Sequence, residues 1–210
     1  MNINPNNLGN YTVPKGTQGG VCLDIGANVG NFFTAYKDHF RMIHYYEAVQ
    51  ETFDICQNKS NTLENITGFR EAAHSCDGEC LQIVVHNNNE SGSCAVLDPS
   101  RNGMSDWSEE IASTTTSVSM ESVIDRLLKA SDAEEIDYLK IDCECCEFEF
   151  MLDKDLSNIK HIGMELHCQK GEEYWDRMLK HLRKTHIVKG NTTFAPDRNT
   201  ELYCVRKDLA

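Results

Sequence analysis

The loop Gly26-Ala27-Asn28-Val29-Gly30 constrains this chain more than any other feature. It follows an apolar stretch, Val21-Cys22-Leu23-Asp24-Ile25, and precedes a helix-like run from Phe32 to Phe40. Strand, glycine loop and helix in that order build a crevice. Backbone passes close beneath a ligand there, and the unpaired N–H groups of the helix start face it. The spacing narrows the choice of ligand. A pyrophosphate cradle uses G-x-G-x-x-G, whereas this loop reads D-x-G-x-x-x-G and lacks the middle glycine. A nucleoside without phosphates suits it better.

The second apolar segment, Ile43-His44-Tyr45-Tyr46, runs into Glu47. A carboxylate at that strand end accepts both hydroxyls of a ribose in charge-assisted bonds and favours a cationic ligand over a phosphorylated one. S-adenosylmethionine, with ribose, sulfonium and no phosphate, meets both conditions. An NAD-dependent oxidoreductase is the alternative that the missing glycine disfavours.

A chain of 210 residues, 40% hydrophobic and 25% charged, suits one α/β domain over 1–210. No run approaches the roughly 18 apolar residues of a membrane span. The Asn-rich start has neither a basic nor an apolar leader region, so a cytoplasmic protein is expected. The net charge of −13 argues against a nucleic-acid partner. Arg177, Lys180, Arg183 and Lys184 read as the solvated face of a helix. The ten cysteines are expected to be reduced thiols. Oligomeric state is left open.

Residues 1–20 read as an irregular lead-in folded over the cofactor mouth. Strands are expected at 21–25, 43–47 and 67–72, with helices at 29–39 and 50–60. A hairpin, 81–86 with 94–97, and a loop at 98–110 form an insertion over 80–110 at the sheet's edge or lid. A strand at 114–119 and a helix at 120–128 follow, with Val123, Ile124, Leu127 and Leu128 inward. The alternation then resumes with strand 136–142, helix 147–157, strand 159–166 and helix 171–185, and the strands 186–190 and 200–206 close the sheet as an antiparallel pair.

The most polar strand end is Lys140-Ile141-Asp142-Cys143-Glu144-Cys145-Cys146-Glu147. An extended segment would put Lys140, Asp142 and Glu144 on one side. Ligands of open α/β sheets bind outside the carboxyl ends of the strands, so Asp142 and Glu144 are expected beside the reacting groups. The next strand ends in Glu165-Leu166-His167, and His167 can reach the same crevice. Asp142, Glu144 and His167 are the candidate bases. No metal centre is expected, since C-x-C-C on a strand points its thiols to different sides. Asp142, Glu144 and Glu165 remain the weaker option for a hard divalent ion.

Taken together, Leu23-Asp24-Ile25-Gly26-Ala27-Asn28-Val29-Gly30, Tyr46-Glu47, Leu139-Lys140-Ile141-Asp142-Cys143-Glu144 and Glu165-Leu166-His167 resemble the FkbM family of S-adenosylmethionine-dependent methyltransferases over about residues 20–170. The resemblance implies the Rossmann-like class I methyltransferase fold, a seven-stranded, mostly parallel sheet with a reversed last strand. It also implies methylation of a hydroxyl on a sugar or natural product. Asp24, Gly26 and Gly30, with Ala27 and Asn28 in the same loop, would line the methionine side. Glu47 would hold the ribose, Glu71 and Ala72 would border adenine, and Asp142 would stand nearest the methyl.

Two departures stand out. Ala48 replaces the proline that usually follows the ribose acid, and Cys145 replaces the glycine of D-x-E-G-x-E. If that glycine serves a positive φ, Cys145 is strained, and a catalytically altered binding or scaffold domain becomes the non-enzyme alternative. The expected acceptor is a carbohydrate or polar small molecule. Residues 87–93, with Arg101, Asn102 and Trp107, would hold it.

Overall fold

In a computed structural model of the chain, residues 11–86, 93–96 and 107–210 are described, with side chains described except over 85–112. The first strand, β1 (Val21–Ile25), is buried at every position. A strand of that kind needs cover on both faces, which helices on either side of a parallel sheet provide. Its side chains alternate as the period of two requires. Val21, Leu23 and Ile25 enter one core with Leu139, Ile141 and Trp175, while Cys22 enters the other with Phe32, Phe33 and Tyr45.

The chain then runs α1 (Asn31–Tyr36), β2 (Met42–Tyr46), α2 (Gln50–Ser60), β3 (Ile66–Phe69), β4 (Glu71–Ala73), β5 (Cys80–His86), β6 (Ser93–Val96) and β7 (Trp107–Val118). It continues with α3 (Met120–Ser131), β8 (Ile136–Ile141), α4 (Glu147–Met151), β9 (Ile159–Leu166), α5 (Glu172–Thr185), β10 (His186–Gly190) and β11 (Thr200–Arg206). Seven strands make one sheet in the order β10-β11-β9-β8-β1-β2-β3. All its pairings are parallel except those of β11, which runs against both β9 and β10. Strand order reverses between β1 and β8, so the crevice of the fold opens at their carboxyl ends.

The expected sheet is therefore present, with three corrections. The strand expected at 67–72 divides at Arg70. β3 stays in the seven-stranded sheet, while β4 joins a second sheet of order β4-β7-β5-β6. Partners on β7 explain the break, because Thr115 Oγ1 donates to Arg70 O at 2.9 Å and Arg70 Nη1 donates to Thr114 O at 3.0 Å. The 81–86/94–97 hairpin is β5 with β6, but it belongs to that second sheet and not to the edge of the first. Finally, the loop expected over 98–110 already contains the start of β7 at Trp107.

The amphipathic helices follow the sequence pattern. In α3 the Ser119 hydroxyl caps the N-terminus by accepting from Ser122 N at 3.3 Å, and Val123, Ile124 and Leu127 are buried while Leu128 is half-buried. In α5 Trp175, Met178, Leu179 and Leu182 are buried, whereas Arg177, Lys180, Arg183 and Lys184 are exposed. None of the helices among the described residues is long and apolar enough to cross a membrane.

Candidate active site

The loop after β1 is tightly wound. Gly26, Asn28 and Gly30 have φ of 74°, 51° and 76°, the left-handed region that glycine enters freely and asparagine tolerates. Gly26 N and Ala27 N both donate to Tyr46 O at 3.0 Å, which hangs the loop on the end of β2. Gly26 also meets the end of β8 so closely that a Cβ there would lie 1.9 Å from Asp142 O. Asp142 N donates to Ile25 O at 3.0 Å and holds the two strand ends together.

Glu47 is 6% exposed, and its carboxylate accepts from Asn28 N at 2.7 Å and from Val49 N at 2.9 Å. Burial raises its pKa, and the bonds from Val49 and Asn28 oppose that shift. This side chain therefore fixes the glycine loop in addition to facing the cleft. The sequence pattern had offered only the second role.

Asp24 and Lys140 are cross-strand partners on β1 and β8, both buried, with Lys140 Nζ 3.3 Å from Asp24 Oδ1. Lys140 also donates to Gly26 O. Burial pulls the Lys140 ammonium down, yet Asp24 first and Asp142 next hold it above its ordinary range. Lys140 thus makes a buried ion pair beneath the loop.

Two cavities meet at this point. The larger, about 540 Å³, is lined by Gly26, Asn28, Glu47, Glu71, Ala72, Asp142 and Glu144 among the expected residues, and by Val29, Ala48, Val49, Cys143 and Cys146. The smaller, about 220 Å³, is lined by Tyr11, Ala27, Asn31, Lys140, Glu165 and Glu201, and it shares Gly26, Asn28, Val29 and Asp142 with the larger. Asp24 and Gly30 border neither cavity and act as supports of the loop. Glu71 is held by Arg126, whose Nη1 and Nη2 lie 2.6 and 3.3 Å from its carboxylate oxygens.

Beyond Ile141 the chain is no longer extended, so the expected alternation of Lys140, Asp142 and Glu144 fails there. Glu144 and Cys145 form a turn with φ of 52° and 76°. Each left-handed non-glycine residue costs about 1–2 kcal/mol. The positive φ considered at Cys145 is present. It turns Glu144 toward β9, where its Oε2 lies 3.0 Å from His167 Nε2. The same turn brings Cys143 and Cys146 into a disulfide, which corrects the expectation that all ten cysteines are reduced thiols.

His167 lines neither cavity, being 1% exposed and set among carboxylates. Nδ1 pairs with Glu147 Oε1, and Nε2 lies 3.7 Å from Glu165 Oε2. Burial works against its charged form, but Glu147 and then Glu144 outweigh burial and hold its pKa well above the ordinary value. With carboxylates on both ring nitrogens and that upward shift, the geometry favours a charge-neutralising role for His167 over that of a base.

Glu165, which the sequence had suggested only as a metal ligand, faces the smaller cavity. Burial and then the Asp142 charge push its pKa up to about 7, with His167 opposing. Tyr11 pairs with Asp142 and has its hydroxyl pKa raised by burial first and Asp142 next. Tyr11 also packs edge-on against Phe32, which brings the end of the lead-in to the cavity. The ligand atoms of Asp142, Glu165 and His167 lie within 4.8 Å of one another, as do those of His74, Cys76 and Glu79. The expected acceptor-holding groups at 87–92, Arg101 and Asn102 lie outside the described residues, as does the side chain of Trp107.

Residues 24–186 match the sequence profile of the Methyltransferase FkbM domain. No curated protein sequence matches the chain. Among solved structures, the methyltransferase FkbM of Methylobacillus flagellatus KT is similar with a TM-score of 0.50 at 13% identity, over 96% of this chain and 50% of that one. This chain thus spans half the length of that protein. A fibrillarin pre-rRNA processing protein of Methanococcus jannaschii is similar with a TM-score of 0.54 at 9% identity, over 94% of this chain and 70% of that one. Aeropyrum pernix fibrillarin, in complex with natively bound S-adenosyl-L-methionine, is similar with a TM-score of 0.51 at 14% identity, over 92% and 69%. Identities this low speak for the fold alone. The profile match covers most of the chain and agrees with the strand order and the loop after β1, and on that ground the chain belongs to the FkbM methyltransferase domain family.

Proposed function

We propose that this protein transfers a methyl group from S-adenosylmethionine to a hydroxyl on a sugar or another polar small molecule. S-adenosylmethionine is the cofactor. The observation that carries the reading is the shared wall of the two cavities, Gly26, Asn28, Val29 and Asp142. A methyl transfer needs donor and acceptor side by side and in line, and two adjoining cavities supply those two seats.

The residues present fit the cofactor. The larger cleft is within the range of about 300–1,000 Å³ usual for ligand sites. Gly26 lets the loop close on the end of β8, where a Cβ would collide with Asp142 O, and so forms a wall of the cleft. Glu47, at the end of β2, has two oxygens that each retain a lone pair for a sugar hydroxyl beyond the bonds to Asn28 N and Val49 N. Glu71 and Ala72 would border the adenine end, and Asp142 the sulfonium end. Bound there, S-adenosylmethionine supplies an electrophilic methyl on a positively charged sulfur.

The chain's own groups then have three tasks. Tyr11, Asp142, Glu165 and Glu201 surround the smaller cavity with acceptors and one hydroxyl, which suits a substrate rich in O–H donors and repels a phosphate backbone. Glu165 is the group best matched to remove the hydroxyl proton, because a pKa of about 7 leaves it half ionised near neutral pH while still basic enough to accept. His167 orients Glu144 and neutralises part of the carboxylate charge around the turn.

Incubation with methyl-labelled S-adenosylmethionine and separate glycan, small-molecule and RNA pools tests this reading. Label is expected in a hydroxyl-bearing glycan or metabolite. Efficient labelling of RNA with none in the other pools would overturn it.

A further inference from the structure

Cys143 and Cys146 are bonded across the turn between β8 and α4, with their Cα atoms 5.4 Å apart, and both line the larger cleft. The methyl transfer proposed above uses neither sulfur. A disulfide stabilises a fold mainly by closing a long loop in the unfolded chain, and its effect shrinks with the logarithm of loop length. This one closes a loop of sequence separation 3, so global stability is a poor reason for it. Its local effect is larger. The two residues it spans, Glu144 and Cys145, both hold left-handed backbone. Such conformations persist only where the surroundings over-determine them, and the S–S bond is one such constraint.

The backbone on the near side of the turn is the surface against which the glycine loop packs. A Cβ at Gly26 would lie 1.9 Å from Asp142 O and 3.1 Å from Cys143 Cα. Relaxation of the turn therefore moves a wall of the cofactor cleft. The sulfurs are also reachable from that cleft, Cys143 being half-buried and Cys146 7% exposed. A C-x-x-C pair in an accessible wall is an arrangement that undergoes thiol–disulfide exchange.

We propose that Cys143–Cys146 is a thiol–disulfide exchange site whose redox state sets the shape of the cofactor cleft: the oxidised form holds the wall for S-adenosylmethionine, and a small dithiol releases it. The coupling rests on the cofactor reading given above. In the exchange, a thiolate of the reductant attacks one sulfur and the Cys143–Cys146 bond breaks. The reductant's second thiolate then closes its own disulfide, so that it loses two electrons while Cys143 and Cys146 gain them and end as protonated thiols. A disulfide oxidant such as oxidised glutathione reverses the step. Because ligand in the cleft covers the sulfurs, bound cofactor and reduction oppose each other, and linkage makes that opposition reciprocal.

The test uses the full chain equilibrated with oxidised glutathione or with dithiothreitol. Alkylation and peptide mapping follow the cysteines, and calorimetry follows S-adenosylhomocysteine binding. One oxidised pair, Cys143 with Cys146, is expected, together with about tenfold weaker binding by the reduced form. Saturating S-adenosylhomocysteine should slow reduction. The C143S/C146S variant should bind as the reduced wild type does, whatever the glutathione ratio. Adding C145G should restore tight binding, because glycine holds the turn without the bond.

Alkylation of all ten cysteines under oxidised glutathione would overturn the site. Equal affinity in the two redox forms of the wild type would overturn the coupling and leave the cofactor reading standing. Binding by neither form would overturn the cofactor reading, and the coupling with it.

Discussion

Gly26→Ala isolates the close approach of the glycine loop to the end of β8, and Gly78→Ala is its control. Both glycines have nearly the same backbone, φ 74° and 80°. Alanine in that region costs about 1–2 kcal/mol at either site. The space around them differs. A Cβ at Gly78 would meet nothing within 4 Å, whereas one at Gly26 would sit 1.9 Å from Asp142 O and 2.7 Å from Asp142 C. Those atoms are backbone, and they cannot turn away as a side chain can. Ordinary contact requires a shift of more than 1 Å in a strand end tied to Ile25 O by the Asp142 N–H. Loss of that bond and of the tie from Gly26 N to Tyr46 O adds about 1 kcal/mol each.

Gly26→Ala should therefore lower stability by about 3–4 kcal/mol, against about 1–2 for Gly78→Ala. It should also weaken S-adenosylhomocysteine binding and lower turnover by about a hundredfold, since the displaced atoms form a shared wall of the two cavities. Urea denaturation and calorimetry measure the two effects. Equal destabilisation by the two substitutions, or wild-type binding by Gly26→Ala, would refute the steric reasoning.

Glu47→Ala should cost about 1.5–3 kcal/mol in S-adenosylhomocysteine binding and also lower stability, because the same carboxylate holds Asn28 N and Val49 N; unchanged affinity would remove Glu47 from the site. The rate constant kcat should fall as pH drops through about 7, where Glu165 takes up its proton, and Glu165→Gln should abolish that inflection while leaving S-adenosylhomocysteine affinity near wild type. A wild-type pH profile in Glu165→Gln would send the base elsewhere. His167→Asn should destabilise by about 3–5 kcal/mol at neutral pH, as breaking a buried pair does. Its folded pKa is raised, so the stability that His167 contributes is complete below its ordinary 6.5 and disappears as pH rises through the folded value. The gap in Tm between wild type and His167→Asn should accordingly close toward alkaline pH, and a gap independent of pH would contradict the ion-pair account.

The architecture was legible where one physical rule governs. β9, β10 and β11 begin and end where the sequence pattern puts them, each a short run in which apolar and β-branched residues dominate. β3 and β4 were not separable. The single run from 67 to 72 divides at Arg70 only because β7, forty-odd residues away along the chain, offers partners to Arg70 O and to the Arg70 guanidinium. No local pattern encodes a hydrogen bond of that range.

At the site, the placement of the glycine loop and Glu47 at the cleft was legible because it follows from residue type at fixed spacing after two strands. Glu165 and His167 were not, because their roles depend on which charges surround them. Both stand at the end of β9, with Leu166 between them, and both could serve as a base by identity alone. The charges around each separate them. Glu147 on one nitrogen, joined by Glu144 where the chain leaves the extended conformation, favours the charged form of the His167 ring. Glu165 meets Asp142 instead, and burial first and that second carboxylate next raise its pKa toward neutrality. The backbone reversal that brings Glu144 to His167 stands at a position where the family's pattern has glycine and this chain has cysteine. A substitution that straightened the turn would remove the Glu144 contact alone, leaving Glu147 on the His167 ring and leaving burial and Asp142 to raise Glu165.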